Sequence, residues 1–148
     1  MHSETVKIKL LKNSVGKSRE QLNTSILPLF CCVAKGSKVI LAPGDRCAVA
    51  TGIALDLPEL LEAVVLPNPV LAEKLGVTVL NSPGTIDPDF KGEIQVILIN
   101  HGGQEAVFDR GDQIAELRIQ AFVRANFEEV LTLSSSARGK KGLGSTGK

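Results

Sequence analysis

The chain of 148 residues has no Trp and no Tyr, and its five Phe supply all of its 3% aromatic content. Surfaces that stack single-stranded nucleic acid need interleaved rings, so that class of partner is not expected. Cysteine is scarce and odd in number: the neighbours Cys31 and Cys32, and Cys47. No spacing among them suits zinc, and they read as reduced, core-type thiols of a cytoplasmic protein. No apolar run nears the ~20 residues that span a bilayer, so no membrane role is expected. Lys7, Lys9 and Lys12 interrupt the early apolar residues, and no signal peptide opens the chain. Net charge is only +1, which gives no bulk pull toward polyanions.

What is present is a charge pattern. Residues 1–38 carry seven Lys/Arg against two acids, residues 39–136 six against fourteen, and residues 137–148 four against none. An acidic body therefore lies between basic ends. The basic C-terminal end either binds an anion or is a solvated tail. At 43% apolar and 22% charged, the composition is that of a globular domain. At this length it is one domain that needs no staples.

Residues 6–11 alternate apolar side chains with Lys, the period of a half-buried strand. Residues 12–25 are polar and read as a loop or linker. Short apolar runs follow at 26–34, 39–42, 47–55, 63–66, 77–80, 94–100, 106–108 and 114–119. Gly-, Pro- and Asp-rich turns separate them, the pattern of a β-sandwich or barrel rather than alternating β and α. One short helix is expected at 70–75. Asn68 is placed to cap it, Pro69 takes its first position and Gly76 ends it. Residues 57–62 are Leu/Glu-rich, but six residues are too few for a second helix. We divide the chain into an N-terminal strand and polar linker (1–25), a β-barrel (26–133) and a mobile glycine-rich arm (134–148).

Two stretches carry chemistry. The first is the arm from Arg138 to Lys148. Its Gly142 to Gly147 stretch fits a dinucleotide or P-loop pattern in letters. Both patterns need a following helix, and here the sequence stops. The physical content remains: glycine-rich backbone exposes N–H groups to an anion, and Arg138 can pair with phosphate in bidentate fashion. The second is the hairpin 81–94, a turn, an apolar pair, two acids, a ring and a strand. A carboxylate at such a mouth can act as general base for water, or be an ordinary acidic hairpin tip.

Together these stretches resemble the trimeric deoxyuridine triphosphatases (dUTPases). The resemblance runs in order from about residue 39 to 148. It rests on Ala42-Pro43-Gly44-Asp45, Thr51-Gly52-Ile53-Ala54, the hairpin, the segment Gly111-Asp112-Gln113-Ile114-Ala115-Glu116-Leu117, and the arm. It implies an all-β, jelly-roll β-barrel with one short helix, a homotrimer, and sites built from several subunits. The implied reaction splits dUTP into dUMP and pyrophosphate, with Mg2+ carried on the triphosphate and no metal ligand in the protein. Asp87 falls on the carboxylate that activates water. Asn81, Gly84, Thr85 and Ile86 fall where uracil is read, and Phe90 on the ring against the deoxyribose. Asn68 and Glu116 fall on the phosphate wall. Arg138, Leu143, Gly144, Ser145 and Thr146 fall on the arm that closes over the ligand, dUTP or a related pyrimidine deoxynucleotide.

The sequence also departs from that pattern. The family's A-G-x-D-L stretch is Ile26-Leu27-Pro28-Leu29-Phe30-Cys31-Cys32 here, without its Gly or Asp. Its P-R-S-G-L-A is Pro67-Asn68-Pro69-Val70-Leu71-Ala72, without Arg and Ser. Gln113 and Glu116 stand for an Arg and a Gln, Leu143 for an aromatic ring, and Phe90 for a Tyr. A charged hydrogen bond contributes ~1.5–3 kcal/mol, and stacking on a base contributes ~1–3 kcal/mol. The sequence therefore leaves two readings: a dUTP nucleotidohydrolase weakened at its phosphate site, or a catalytically impaired trimer that binds nucleotide or regulates.

Overall fold

The computed structural model describes residues 4–15 and 25–140. Along the chain run β1 (Lys7–Leu10), β2 (Ile26–Phe30), β3 (Lys38–Leu41), β4 (Arg46–Ala50), β5 (Ile53–Asp56) and β6 (Leu61–Pro67). Then come α1 (Pro69–Leu75), β7 (Val77–Val79), β8 (Gly84–Ile86), β9 (Gln95–Asn100), β10 (Ala106–Asp109) and β11 (Gln113–Ala121). Among the described residues all pairings are antiparallel, in the orders β2-β11-β6-β8, β4-β9-β7, β1-β5 and β3-β10. The sheets wrap one core as a jelly-roll β-barrel.

Alternation decides which side chains enter that core. On β11, Ala115 and Leu117 are fully buried, while Arg118 and Gln120 point outward. Their cross-strand partners Val65 on β6 and Leu29 on β2 join the same apolar cluster. Leu98, Val96 and Ile94 fill it from the β9 side, with Ile53 and Val49, the β4 neighbour of Val96, in the same cluster. Burying one such side chain contributes ~1.5–3 kcal/mol, so these strands hold the barrel even where single pairings are short.

The apolar runs of the sequence become strands. The run 47–55 divides into β4 and β5 because Gly52 takes a φ of 69° between them. A Cβ there would lie 2.6 Å from both the Ser14 backbone and the Cys32 sulfur. The segment 57–62 begins as a turn, with the Leu61 N–H on the Pro58 carbonyl, and enters β6 at Leu61. The one helix among the described residues falls where its caps placed it. Asn68 is the N-cap, Pro69 opens the helix, and Gly76 closes it with a φ of 68°.

β1 lies along β5, so the N-terminal strand is attached to the barrel. Arg110 fixes the turn after β1, donating to the Val33 carbonyl at 2.8 Å and the Ser14 carbonyl at 3.1 Å. At the other end β11 stops at Ala121, and the Phe122 N–H bonds the Leu60 carbonyl at 3.2 Å. From 123 to 140 every residue is exposed; Phe127 is 97% and Leu131 104% accessible in the single chain.

Candidate functional site

The hairpin is built from its two flanking strands. Leaving β7, the Leu80 N–H bonds the Ile97 carbonyl at 2.8 Å and the Ser82 N–H bonds the Val79 carbonyl at 3.2 Å. The Ser82-Pro83 bond is cis. The chain then enters β8, which the alternation pattern did not reveal because it has only three residues between turn signals. Gly84 is buried, and a Cβ on it would stand 3.2 Å from the Asn81 amide nitrogen. Glycine therefore leaves room for the Asn81 side chain beside the strand. Thr85 is exposed, whereas Ile86 turns inward onto the core.

Asp87 comes next, exposed, at the start of a turn closed by the Phe90 N–H on the Asp87 carbonyl at 3.1 Å. The Phe90 ring is 45% accessible and lies over Gly92, where a Cβ would meet its Cζ at 2.8 Å. The turn thus carries an exposed carboxylate and a half-exposed ring three residues apart. The strand leaving it is tied to the barrel. The Glu93 carboxylate accepts the Gly52 N–H at 2.9 Å, and the buried Thr51 hydroxyl donates to the Ile94 carbonyl at 2.6 Å.

Beside the hairpin lies an ion pair, Lys91 and Asp56, to which the sequence alone assigns no role in the site. The Lys91 ammonium donates to Asp56 at 2.6 Å and to the Pro88 carbonyl at 2.8 Å. Lys7 lies 3.6 Å from the same carboxylate. The Lys91 ammonium, with Lys7 behind it, holds the Asp56 carboxyl below its usual range. No pattern in the sequence relates positions 35 residues apart.

The phosphate-wall candidates lie elsewhere. Glu116 is half-buried on β11, opposite Leu66 of β6 and Pro28 of β2. Asn68 follows two residues beyond Leu66. Its side-chain oxygen accepts the N–H groups of Val70 at 2.9 Å and Leu71 at 3.2 Å, and its carbonyl accepts that of Ala72 at 3.1 Å. Pro69 has no N–H to offer. The first turn of α1 is thus capped by its own chain, with Asn68 engaged as the cap.

Within one chain the two groups of residues do not meet. Ile86 pairs with Ala63, so Asp87 lies level with Glu62, four residues along β6 from the Glu116 rung. At ~3.3 Å per strand residue that is roughly 13 Å. Arg138 sits in a turn closed by the Gly139 N–H on Ser136. Leu143, Gly144, Ser145 and Thr146 lie outside the described residues.

Among the described residues no three His, Cys, Asp or Glu side chains gather where they could hold a metal ion. The three cysteines are free thiols, and burial pushes Cys31 and Cys47 above the ordinary thiol value. Cys31 and Cys47 therefore stay protonated at neutral pH and are poor nucleophiles. Among the described residues no helix is long and apolar enough to cross a membrane.

The chain has clear counterparts among known proteins. A family model described as dUTPase matches residues 32–147. A deoxyuridine 5'-triphosphate nucleotidohydrolase of Clostridium tetani (strain Massachusetts / E88) is 46% identical over 149 aligned residues, the whole of both chains. One from Rickettsia bellii (strain OSU 85-389) is 43% identical over 96% of this chain and 95% of its own. Among solved structures, a Staphylococcus bacteriophage 80alpha dUTPase with dUpNHpp superposes with a TM-score of 0.83 at 20% identity, covering 99% of this chain and all of the phage chain. That likeness shows the fold, and the family match and the two bacterial relatives show the kinship: the chain belongs to the dUTPase family.

Proposed function

We infer that this protein is a dUTP nucleotidohydrolase, converting dUTP and water to dUMP and pyrophosphate. The observation that carries the reading is full-length kinship, at 46% identity, to a deoxyuridine 5'-triphosphate nucleotidohydrolase. The hairpin is consistent with it. Asp87 takes a proton from water, the water oxygen bonds phosphorus, and the bond to the departing pyrophosphate breaks. Backbone and amide groups around Asn81 and Gly84 read the pyrimidine edge. Phe90 offers a flat face to the deoxyribose, where bulk works against a 2′-hydroxyl. The substrate is taken to be the Mg2+ complex of dUTP.

The separation of Asp87 from Asn68 and Glu116 favours a site completed by other copies of the chain. The exposed apolar side chains beyond Phe122 point the same way, since contiguous exposed apolar surface marks an interface. We propose a homotrimer, in a reducing, cytoplasmic compartment that suits three free thiols. Arg138 and the glycine arm would close over the phosphates.

Phosphate-site replacement lowers the expected rate. Glu116 brings a carboxylate where a triphosphate must lie, and Asn68 and Pro69 leave α1 without free N–H groups to offer. The test is pyrophosphate release from dUTP with Mg2+ at high enzyme concentration. Pyrophosphate and dUMP should appear in equal amounts. Binding of dUTP without turnover would support the regulatory reading instead.

A further inference from the structure

We propose that Lys91, anchored by Asp56, is a positioning residue that fixes the turn carrying Asp87 and Phe90. The inference rests on the hydrolase reading and adds residues that act through Asp87. The turn is held at three places. Upstream, Ile86 is locked into β8 opposite Ala63. Downstream, the Ile94 N–H bonds the Ile53 carbonyl of β5 at 2.9 Å. Between them a side chain ties the turn: the Lys91 ammonium donates to the Pro88 carbonyl at 2.8 Å. Its second bond, to Asp56 at 2.6 Å, reaches the last residue of that same β5. One strand therefore holds the exit of the hairpin through its backbone and the turn itself through one ammonium.

Placement is what a general base needs. It must lie within hydrogen-bond reach of the water it activates, and a misplacement of ~1 Å can cost ~100-fold in rate. Lys91 and Asp56 are each about half exposed, at 54%. Exposed pairs contribute little to global stability. Removing the ammonium should therefore loosen the turn without unfolding the barrel, which separates positioning from stability. The local contact that Phe90 makes over Gly92 would persist, so ligand contacts should suffer less than the alignment of the carboxylate.

The experiment compares the full chain with Lys91→Met, Lys91→Arg and Asp56→Asn. Two readouts are used: steady-state kinetics on Mg2+–dUTP and amide hydrogen exchange at Phe90. Lys91→Met should lower kcat about tenfold, shift KM by less than about threefold, and raise exchange at the Phe90 amide about tenfold, with Ile94 unchanged. Asp56→Asn, which leaves the ammonium without its charged anchor, should change kcat and exchange in the same direction by a smaller factor. Lys91→Arg should recover most of the rate, because its fork can still bond both Asp56 and the Pro88 carbonyl. Unchanged exchange at Phe90 in Lys91→Met overturns the inference, whatever the activity. Loosened exchange with unchanged kcat overturns it too, since the turn would then need no fixing. A parent chain without turnover sinks the hydrolase reading separately and takes the positioning role with it.

Discussion

Replacing Asp87 with Asn lowers pyrophosphate release about 10²- to 10⁴-fold, the range that a positioned general base contributes. The substitution keeps the shape and the hydrogen-bonding reach of the side chain. It removes only the capacity to take a proton from water. Asp87 is exposed at a turn closed through its own backbone carbonyl, so the fold does not depend on its carboxylate. The thermal midpoint and the affinity for dUpNHpp should stay close to those of the parent. Steady-state turnover and a titration on the same preparation decide the matter. Unchanged turnover would remove Asp87 from the mechanism, and lost affinity would mean that its role is binding.

The largest effect on stability is expected at Gly102, far from the chemistry. The loop after β9 lies against the end of α1. The His101 N–H bonds the Gly76 carbonyl at 2.9 Å, and the Gly102 N–H bonds the side-chain oxygen of buried Asn100 at 2.8 Å. A Cβ on Gly102 would sit 2.1 Å from the Leu75 carbonyl oxygen. The obstacle is backbone, so Gly102→Ala must move either the helix end or the loop. Asn100 also donates to the Leu41 carbonyl at 2.9 Å and the Gln104 carbonyl at 2.8 Å, and a displaced loop disturbs these bonds as well. Overpacking costs ~1–3 kcal/mol, and each weakened buried hydrogen bond ~1 kcal/mol. A loss of ~2–4 kcal/mol should lower Tm by roughly 6–12 °C. Gly103 is the control, because nothing lies within 4 Å of a Cβ there. Gly103→Ala should change stability by less than ~0.5 kcal/mol. Equal midpoints for the two variants would show that the loop yields without strain.

Much of the fold could be read because the signals are local. A capping Asn, a Pro at the first helical position and a closing Gly define α1 within nine residues, and the apolar run 114–119 marks β11 without any partner in view. The hairpin was legible for the same reason, as a contiguous motif. Reading weakened where the decisive fact is a distant neighbour. Nothing in the run 47–55 says that Ser14 and Cys32 press against Gly52 and divide it. Nothing near Lys91 says that Asp56 waits at the end of the neighbouring β5. Asn68 shows a different limit. Its letter suits both a helix cap and a phosphate contact, and only the hydrogen bonds reveal that its side-chain oxygen already accepts two N–H groups.

The exposed segment beyond Phe122 ties folding to dilution. Phe127, Leu131 and Leu133 bury almost nothing against their own barrel. Each would contribute ~1.5–3 kcal/mol if covered. With three copies as proposed, that contribution arises only on association, and mass action then enters the stability itself. The unfolding midpoint of this protein should climb as its concentration rises, and a midpoint indifferent to concentration would mean that the segment finds no cover in its neighbours.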